Sequence, residues 1–283
     1  FKSRSCQYRE IKNYFSKHIL FIHHDLAIRA IKKYPNYSLI SSTYISHIRT
    51  LTLTQLELLN NFQYIFCQSS KDKMRLNALG AIPGRVIHLP IGYDDKVFLN
   101  YKTFKEREYD FVISTPLRIR SLGSHYWLRK STLILSETLS MLANLGFKIL
   151  IIGESWDQSP LNLQNNITVK TPNYRDKNKW LNDCKIFLNL SLMEGGPVTI
   201  IEALASGCKV LSKDNGNAFE ISKDIPDNFF TIKNFSSPSE LSQRIIKIYD
   251  ENKINGFPNI EDYLRNNYSF NALAKIIISK VRK

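Results

Sequence analysis

No run of about 18 apolar residues occurs in the 283-residue chain, so no segment of it is expected to cross a bilayer as a helix. Cysteine is scarce: Cys6, Cys67, Cys184 and Cys208 lie far apart and without metal-ligand spacing. Three of the four sit in or beside apolar runs, the pattern of buried reduced thiols in a cytoplasmic protein. No two aspartates are spaced Asp-x-Asp, so a paired-carboxylate clamp for a metal–diphosphate is unsupported and no essential metal or other cofactor is expected. No Gly-x-Gly-x-x-Gly follows a candidate strand, which argues against a dehydrogenase. Internal repeats and low-complexity segments are also missing. Basic residues are dispersed rather than interleaved with aromatics in a stripe, which argues against a nucleic-acid-binding module. The first residue is Phe1 rather than Met, and the expectation is that residues precede it.

Acidic residues are outnumbered, 25 against 39 basic ones, giving a net charge of +14. Such a surplus favours anionic partners, whether nucleotide phosphates or acidic lipid headgroups, although a lysine-solvated surface gives the same number. Part of the surplus is local, since Phe1–Lys33 has eight Lys/Arg against two Asp/Glu. A helical pattern over Tyr8–Lys17 puts Ile11, Tyr14 and Phe15 on one side and most of its basic residues elsewhere. That arrangement suits peripheral contact with an anionic membrane at the inner face, or packing against the rest of a domain.

With 43% hydrophobic residues the chain can bury real cores. Short β-branched or aromatic runs alternate with helical patterns, which predicts doubly wound α/β architecture with parallel sheets. Strands are expected at His18–His23, Ser38–Tyr44, Gln63–Cys67, Arg85–Leu89, Asp110–Ser114, Lys148–Ile152, Ile167–Lys170, Ile186–Leu190, Lys209–Leu211 and Phe229–Ile232. Helices are expected at Lys71–Leu79, Ser131–Leu145, Asn178–Asn182 and Val198–Ala205. After the last strand only helical patterns follow, at Ser237–Tyr249, Ile260–Asn267 and Phe270–Val281. A polar pause at Pro90–Arg107 reads as a connection between two α/β units. The expected division is residues 1–95, a connection over 96–108, a second unit over 109–257 and a helical tail over 258–283.

The richest stretch runs from Ser191 to Leu211. A buried strand ends near Ser191, the pair Gly195-Gly196 turns the chain, and Pro197 sits where a helix should begin, followed by Val198 and Thr199. A helix N-terminus at that place offers free N–H groups and a partial positive charge, suited to a diphosphate. Glu194 lies in the turn and Glu202 lies eight positions on, inside the helix. A carboxylate accepts paired hydrogen bonds from vicinal hydroxyls, so each is a candidate sugar clamp. Singly, Glu202 reads as an ordinary helix glutamate and the glycine pair as an ordinary turn; together, in strand–turn–helix order, they point to a ligand site.

This stretch resembles the Glu-x7-Glu signature of the retaining, two-Rossmann-domain (GT-B) glycosyltransferases of the family 4, or group 1, type. The resemblance implies that Glu194 contacts the donor sugar and Glu202 the nucleotide ribose, with Gly195, Gly196, Pro197, Val198 and Thr199 forming the turn between them. Phe66-Cys-Gln-Ser-Ser-Lys, the Arg85–Asp94 run, Asn215–Glu220 and Tyr268-Ser-Phe resemble further landmarks, so the likeness covers about Gln63 to the C-terminus. The family carries an Arg and a Lys on the donor diphosphate; Lys130 matches the lysine, and either Arg118 or Arg120 the arginine, with a longer loop between. The family's first strand and glycine-rich loop are not found, so the N-terminal domain is expected to be incomplete. His23, His24 and His47 follow strand candidates, where a histidine can take a proton from an acceptor hydroxyl or simply end a strand; His24 and His47 are the acceptor-side candidates. The implied activity is transfer of a sugar from a nucleotide-diphosphate-sugar donor to a saccharide or lipid-linked acceptor hydroxyl with retention. A GT-B nucleotide-sugar epimerase and a non-catalytic nucleotide-sugar-binding remnant are the alternatives.

Overall fold

The computed structural model describes residues 19–21, 24–36, 41–45, 51–116, 130–156, 166–171, 173–192, 194–232, 234–235, 237–252 and 259–281. The chain divides into two compact units. The first comprises Phe1–Pro90 and Lys275–Lys283, the second Ile91–Ala274.

In the first unit, strands β1 (Ile19–Phe21), β2 (Ser41–Ile45), β3 (Tyr64–Cys67) and β4 (Val86–His88) form a parallel sheet in the order β1-β2-β3-β4. Helices α1 (His24–Lys33), α2 (Leu53–Leu59) and α3 (Ser70–Ala78) connect them. The core gathers Ala27, Ile28 and Ile31 of α1 with Leu56 and Leu59 of α2 and Ile45, Ile65 and Val86 of the strands. The sequence pattern did not reveal α1 or α2. For α2 a local signal existed: Thr52 and Gln55 form a capping box, in which the Gln55 N–H donates to Thr52 Oγ1 at 3.2 Å and the Thr52 N–H donates to Gln55 Oε1 at 2.9 Å.

In the second unit, strands β5 (Tyr109–Ser114), β6 (Ile149–Ile152), β7 (Ile167–Lys170), β8 (Cys184–Asn189), β9 (Lys209–Lys213) and β10 (Phe229–Ile232) form a parallel sheet in the order β10-β9-β8-β5-β6-β7. Counted from β5, that is the two-halved order of a dinucleotide-binding fold, reversing direction between β5 and β8. Strand side chains alternate between faces, and both faces are apolar. Phe111, Ile113, Ile149, Ile151, Ile186 and Leu188 point to one side, where α4 (Thr132–Asn144) and α8 (Pro238–Asn252) cover them with Leu135, Leu139, Leu142, Leu241 and Ile245. Val112, Leu150, Ile152, Phe187 and Val210 point to the other, under α5 (Tyr174–Asn182), α6 (Val198–Ala205), α7 (Ala218–Asp224) and α9 (Glu261–Tyr268). A continuous apolar run such as Ile149-Leu-Ile-Ile is therefore a strand buried on both sides. Helix α10 (Phe270–Val281) closes the described chain.

All ten expected strands are present, most with boundaries moved by one to three residues. Besides α1 and α2, the pattern missed α7 and began α5 four residues late, because Tyr174–Lys177 lacks an apolar period of its own. Cys67, Cys184 and Cys208 are buried free thiols, and burial raises the pKa of the last two, Cys208 to about 11. Cys6 and the Tyr8–Lys17 pattern lie outside the described residues. Among the described residues no helix is long and apolar enough to cross a membrane.

Candidate functional site

Where the winding of a parallel sheet reverses, the two adjacent connections leave in opposite directions and a crevice opens beyond the strand ends. In the second unit that crevice lies past Ser114 of β5 and Asn189 of β8. A small recess there is lined by Ser114 and Thr115 on one side, Ser191 and Glu194 on the other, with Lys130, Pro197 and Thr199. The end of β5 is held from beneath: the Trp156 indole N–H donates to the Thr115 carbonyl at 2.7 Å, and Gly153 packs so closely that a Cβ there would come within 2.1 Å of the same oxygen.

Lys130 and Glu194 come from opposite sides of the reversal and form an ion pair, Lys130 Nζ to Glu194 Oε1. Both side chains are largely buried, 19% and 9% exposed, so water screens their attraction weakly. Lys130 leads into α4 through Ser131, whose φ of 53° is left-handed and turns the chain toward the crevice. Pro197 caps α6 with an extended ψ of 110°, and the helix spans Val198–Ala205, the expected range. Proline has no side chain able to bond the first N–H groups of α6, so no cap competes for them.

Glu202 lies one turn farther along α6, between Ile201 and Ala203, and is 4% exposed. It forms an ion pair through Oε2 with Lys177 Nζ on α5. The sequence reading missed Lys177, because α5 was expected to begin at Asn178 and nothing local links residue 177 to residue 202.

A second loop braces the glycine turn. Asn215 Nδ2 donates to the Ser191 carbonyl, and Gly216, with φ of 55°, packs so that a Cβ would lie 2.3 Å from the Gly195 carbonyl oxygen. A side chain at Gly216 must therefore push one backbone off another and hold a left-handed φ. Gly216→Ala is expected to cost about 1–3 kcal/mol of stability, as overpacking does, and to displace Glu194. Denaturant unfolding checks this; an unchanged midpoint would show that the two loops separate freely.

The description "Glycosyl transferases group 1" matches residues 117–251, from the end of β5 into α8. By fold the chain is of the GT-B type, and just under half of its length matches the group 1 glycosyltransferases. No curated protein matches its sequence. Among solved structures, it is similar to HepE of Anabaena in complex with UDP-glucose, at 15% identity and a TM-score of 0.67, over 90% of this chain and 76% of that one. A glycosyltransferase of Rickettsia africae is similar at 18% identity and a TM-score of 0.70, over 100% and 83% of the two chains. Sucrose-phosphate synthase of Thermosynechococcus elongatus aligns at 14% identity and a TM-score of 0.69, covering 97% and 75%.

In the second unit the crevice brings together Lys130, Glu194, Pro197 and Thr199, with Gly195, Gly196 and Val198 contiguous to them. Glu202 sits beside the crevice, on the α5-facing side of α6. Arg118, Arg120, His23 and His47 lie outside the described residues, and His24 is described only as the first residue of α1. A larger cavity, about 290 Å³, lies elsewhere in the unit against Tyr93, Phe98, Asn100, Gly207, Ile260 and Arg265; it contains none of the expected residues. Size alone does not mark the site; the paired charges at the sheet's reversal do.

Proposed function

We propose that the second unit binds a nucleoside-diphosphate sugar in the β5/β8 crevice and that the protein transfers its sugar to an acceptor hydroxyl with retention at the anomeric carbon. The observation that carries this reading is the largely buried Lys130–Glu194 pair at the sheet's reversal point, next to the uncapped start of α6. An incoming diphosphate competes with Glu194 for Lys130. Once the lysine turns to the phosphates, the Glu194 carboxylate is released to accept hydrogen bonds from the sugar hydroxyls. As the bond between the anomeric carbon and the diphosphate breaks, negative charge grows on the leaving oxygens. Lys130, either Arg118 or Arg120, and the N–H groups of α6 are placed in sequence to stabilise it without a metal. Glu202 takes the ribose. The acceptor is a saccharide or lipid-linked hydroxyl, with His24 or His47 as the acceptor-side base, and an anionic membrane surface is a further partner of the basic N-terminal segment.

HepE binds UDP-glucose, which favours a uridine nucleotide as the first donor to try. Uridine diphosphate should raise the melting temperature, because a ligand of the folded state alone stabilises by about 2.7 kcal/mol at a hundredfold excess over its Kd. A thermal-shift series with uridine, guanosine and adenosine diphosphates, each with and without a chelator, checks both the site and the absence of a metal. Flat traces with all three at millimolar concentration would remove the donor-site reading.

A further inference from the structure

We propose that Lys177 is a positioning residue for the nucleoside, holding the Glu202 carboxylate in a single orientation; this rests on the donor reading above. Helix α5 reaches the position through its own polar contacts. Asn178 Oδ1 accepts from Ser206 Oγ at 2.8 Å, Asn182 Oδ1 accepts from the Tyr101 N–H at 2.9 Å, and Leu181 between them is fully buried. The first bond holds α5 against the C-terminal end of α6 and the second ties it to the segment entering β5, and Lys177, one residue earlier than Asn178, pairs with Glu202.

The chemistry of the pair is lopsided in an informative way. The Lys177 and Glu202 side chains are 12% and 5% exposed, so both charges are largely out of water. A carboxylate buried among Ile200, Ile201, Ala203 and Leu204 is unfavourable without a counter-charge, and Lys177 supplies it. Yet only one carboxylate oxygen is used. Oε2 accepts from Lys177 Nζ, while among the described residues Oε1 takes no hydrogen bond. A buried acid that serves stability alone has its oxygens satisfied within the protein. Here one oxygen is anchored and the other is left as an oriented acceptor, the arrangement needed to receive a ribose hydroxyl without rotating on binding. Tyr174, three residues before Lys177 on α5, also feels the Glu202 charge: burial, then that charge, then Asp94 raise its pKa.

The test is isothermal titration of the full chain with uridine diphosphate and with 2′,3′-dideoxyuridine diphosphate, which lacks both hydroxyls. Lys177→Met should weaken uridine diphosphate about tenfold or more, as losing a well-placed charged hydrogen bond does, while its affinity for the dideoxy compound stays at the wild-type value. Glu202→Gln should show the same selective loss, the double variant should be no worse than either single one, and Lys177→Arg should recover part of the affinity. Equal losses for both nucleotides in Lys177→Met, or none for either, would overturn the positioning role. If Lys177→Met does not fold, Lys177→Gln is read by the same two ligands. A wild-type protein that binds neither nucleotide fails at the donor reading itself. Wild-type binding with a loss in Glu202→Gln but none at Lys177 fails here alone.

Discussion

Lys130→Ala is expected to lower the rate of sugar release from a nucleotide-sugar donor by about 10²–10³-fold. The lysine is the one described cation in the crevice, and it stands 19% exposed against Glu194, on the far side of the sheet's reversal. A charge-stabilising group in a water-poor site acts most where charge develops, so the loss should fall on kcat more than on KM. Removing Lys130 also leaves Glu194 without its counter-ion. Lys130→Ala/Glu194→Gln should therefore regain stability relative to Lys130→Ala without regaining turnover. Hydrolysis or transfer from UDP-glucose, followed by release of uridine diphosphate, measures the effect. Turnover within threefold of wild type would take Lys130 out of the chemistry.

Arg107→Met is expected to destabilise the second unit by about 3–5 kcal/mol, since each buried acceptor left without its donor costs about 1–3 kcal/mol. The Arg107 guanidinium is 3% exposed and donates to five oxygens: the carbonyls of Leu181, Cys184, Lys102 and Ser206, and Oδ1 of Asn100. It thereby joins the end of α5, the start of β8, the turn between α6 and β9, and the segment entering β5. Methionine keeps the stem's apolar contacts and deletes every one of those bonds, leaving buried carbonyls unpaired. The melting temperature should fall by roughly 10 °C or more. Lysine in its place cannot span a planar fork of acceptors and should restore only part of the loss. A drop below about 1 kcal/mol in denaturant unfolding would show that water replaces the guanidinium without penalty.

Arg107 also marks where sequence reading stops. In the sequence it closes a polar connection, and charge in such a stretch ordinarily means solvent. Only the folded chain reveals that carbonyls from residues 181, 184 and 206 converge on it. The same holds for Lys177 and Gly216, whose partners lie 25 and 21 positions away. Helix α1 carries a periodic apolar face of its own, Ala27, Ile28, Ala30 and Ile31, whereas α7 buries only Ala218 and Ile221 of its 7 residues and relies on neighbours to complete its face.

What the sequence by itself determined is the alternation of strand and helix, the two apolar faces of the second sheet, and the strand–turn–helix unit carrying Glu194 and Glu202. These follow from side-chain periodicity and from the backbone demands of glycine and proline, which act over a few residues and so are written locally. What only the tertiary structure decided is the pairing of charges: Glu194 with Lys130 across the sheet's reversal, and Glu202 with Lys177 across two helices. An ion pair depends on distance and desolvation in space, and strand order, which sets both, is not encoded in the spacing of any one segment.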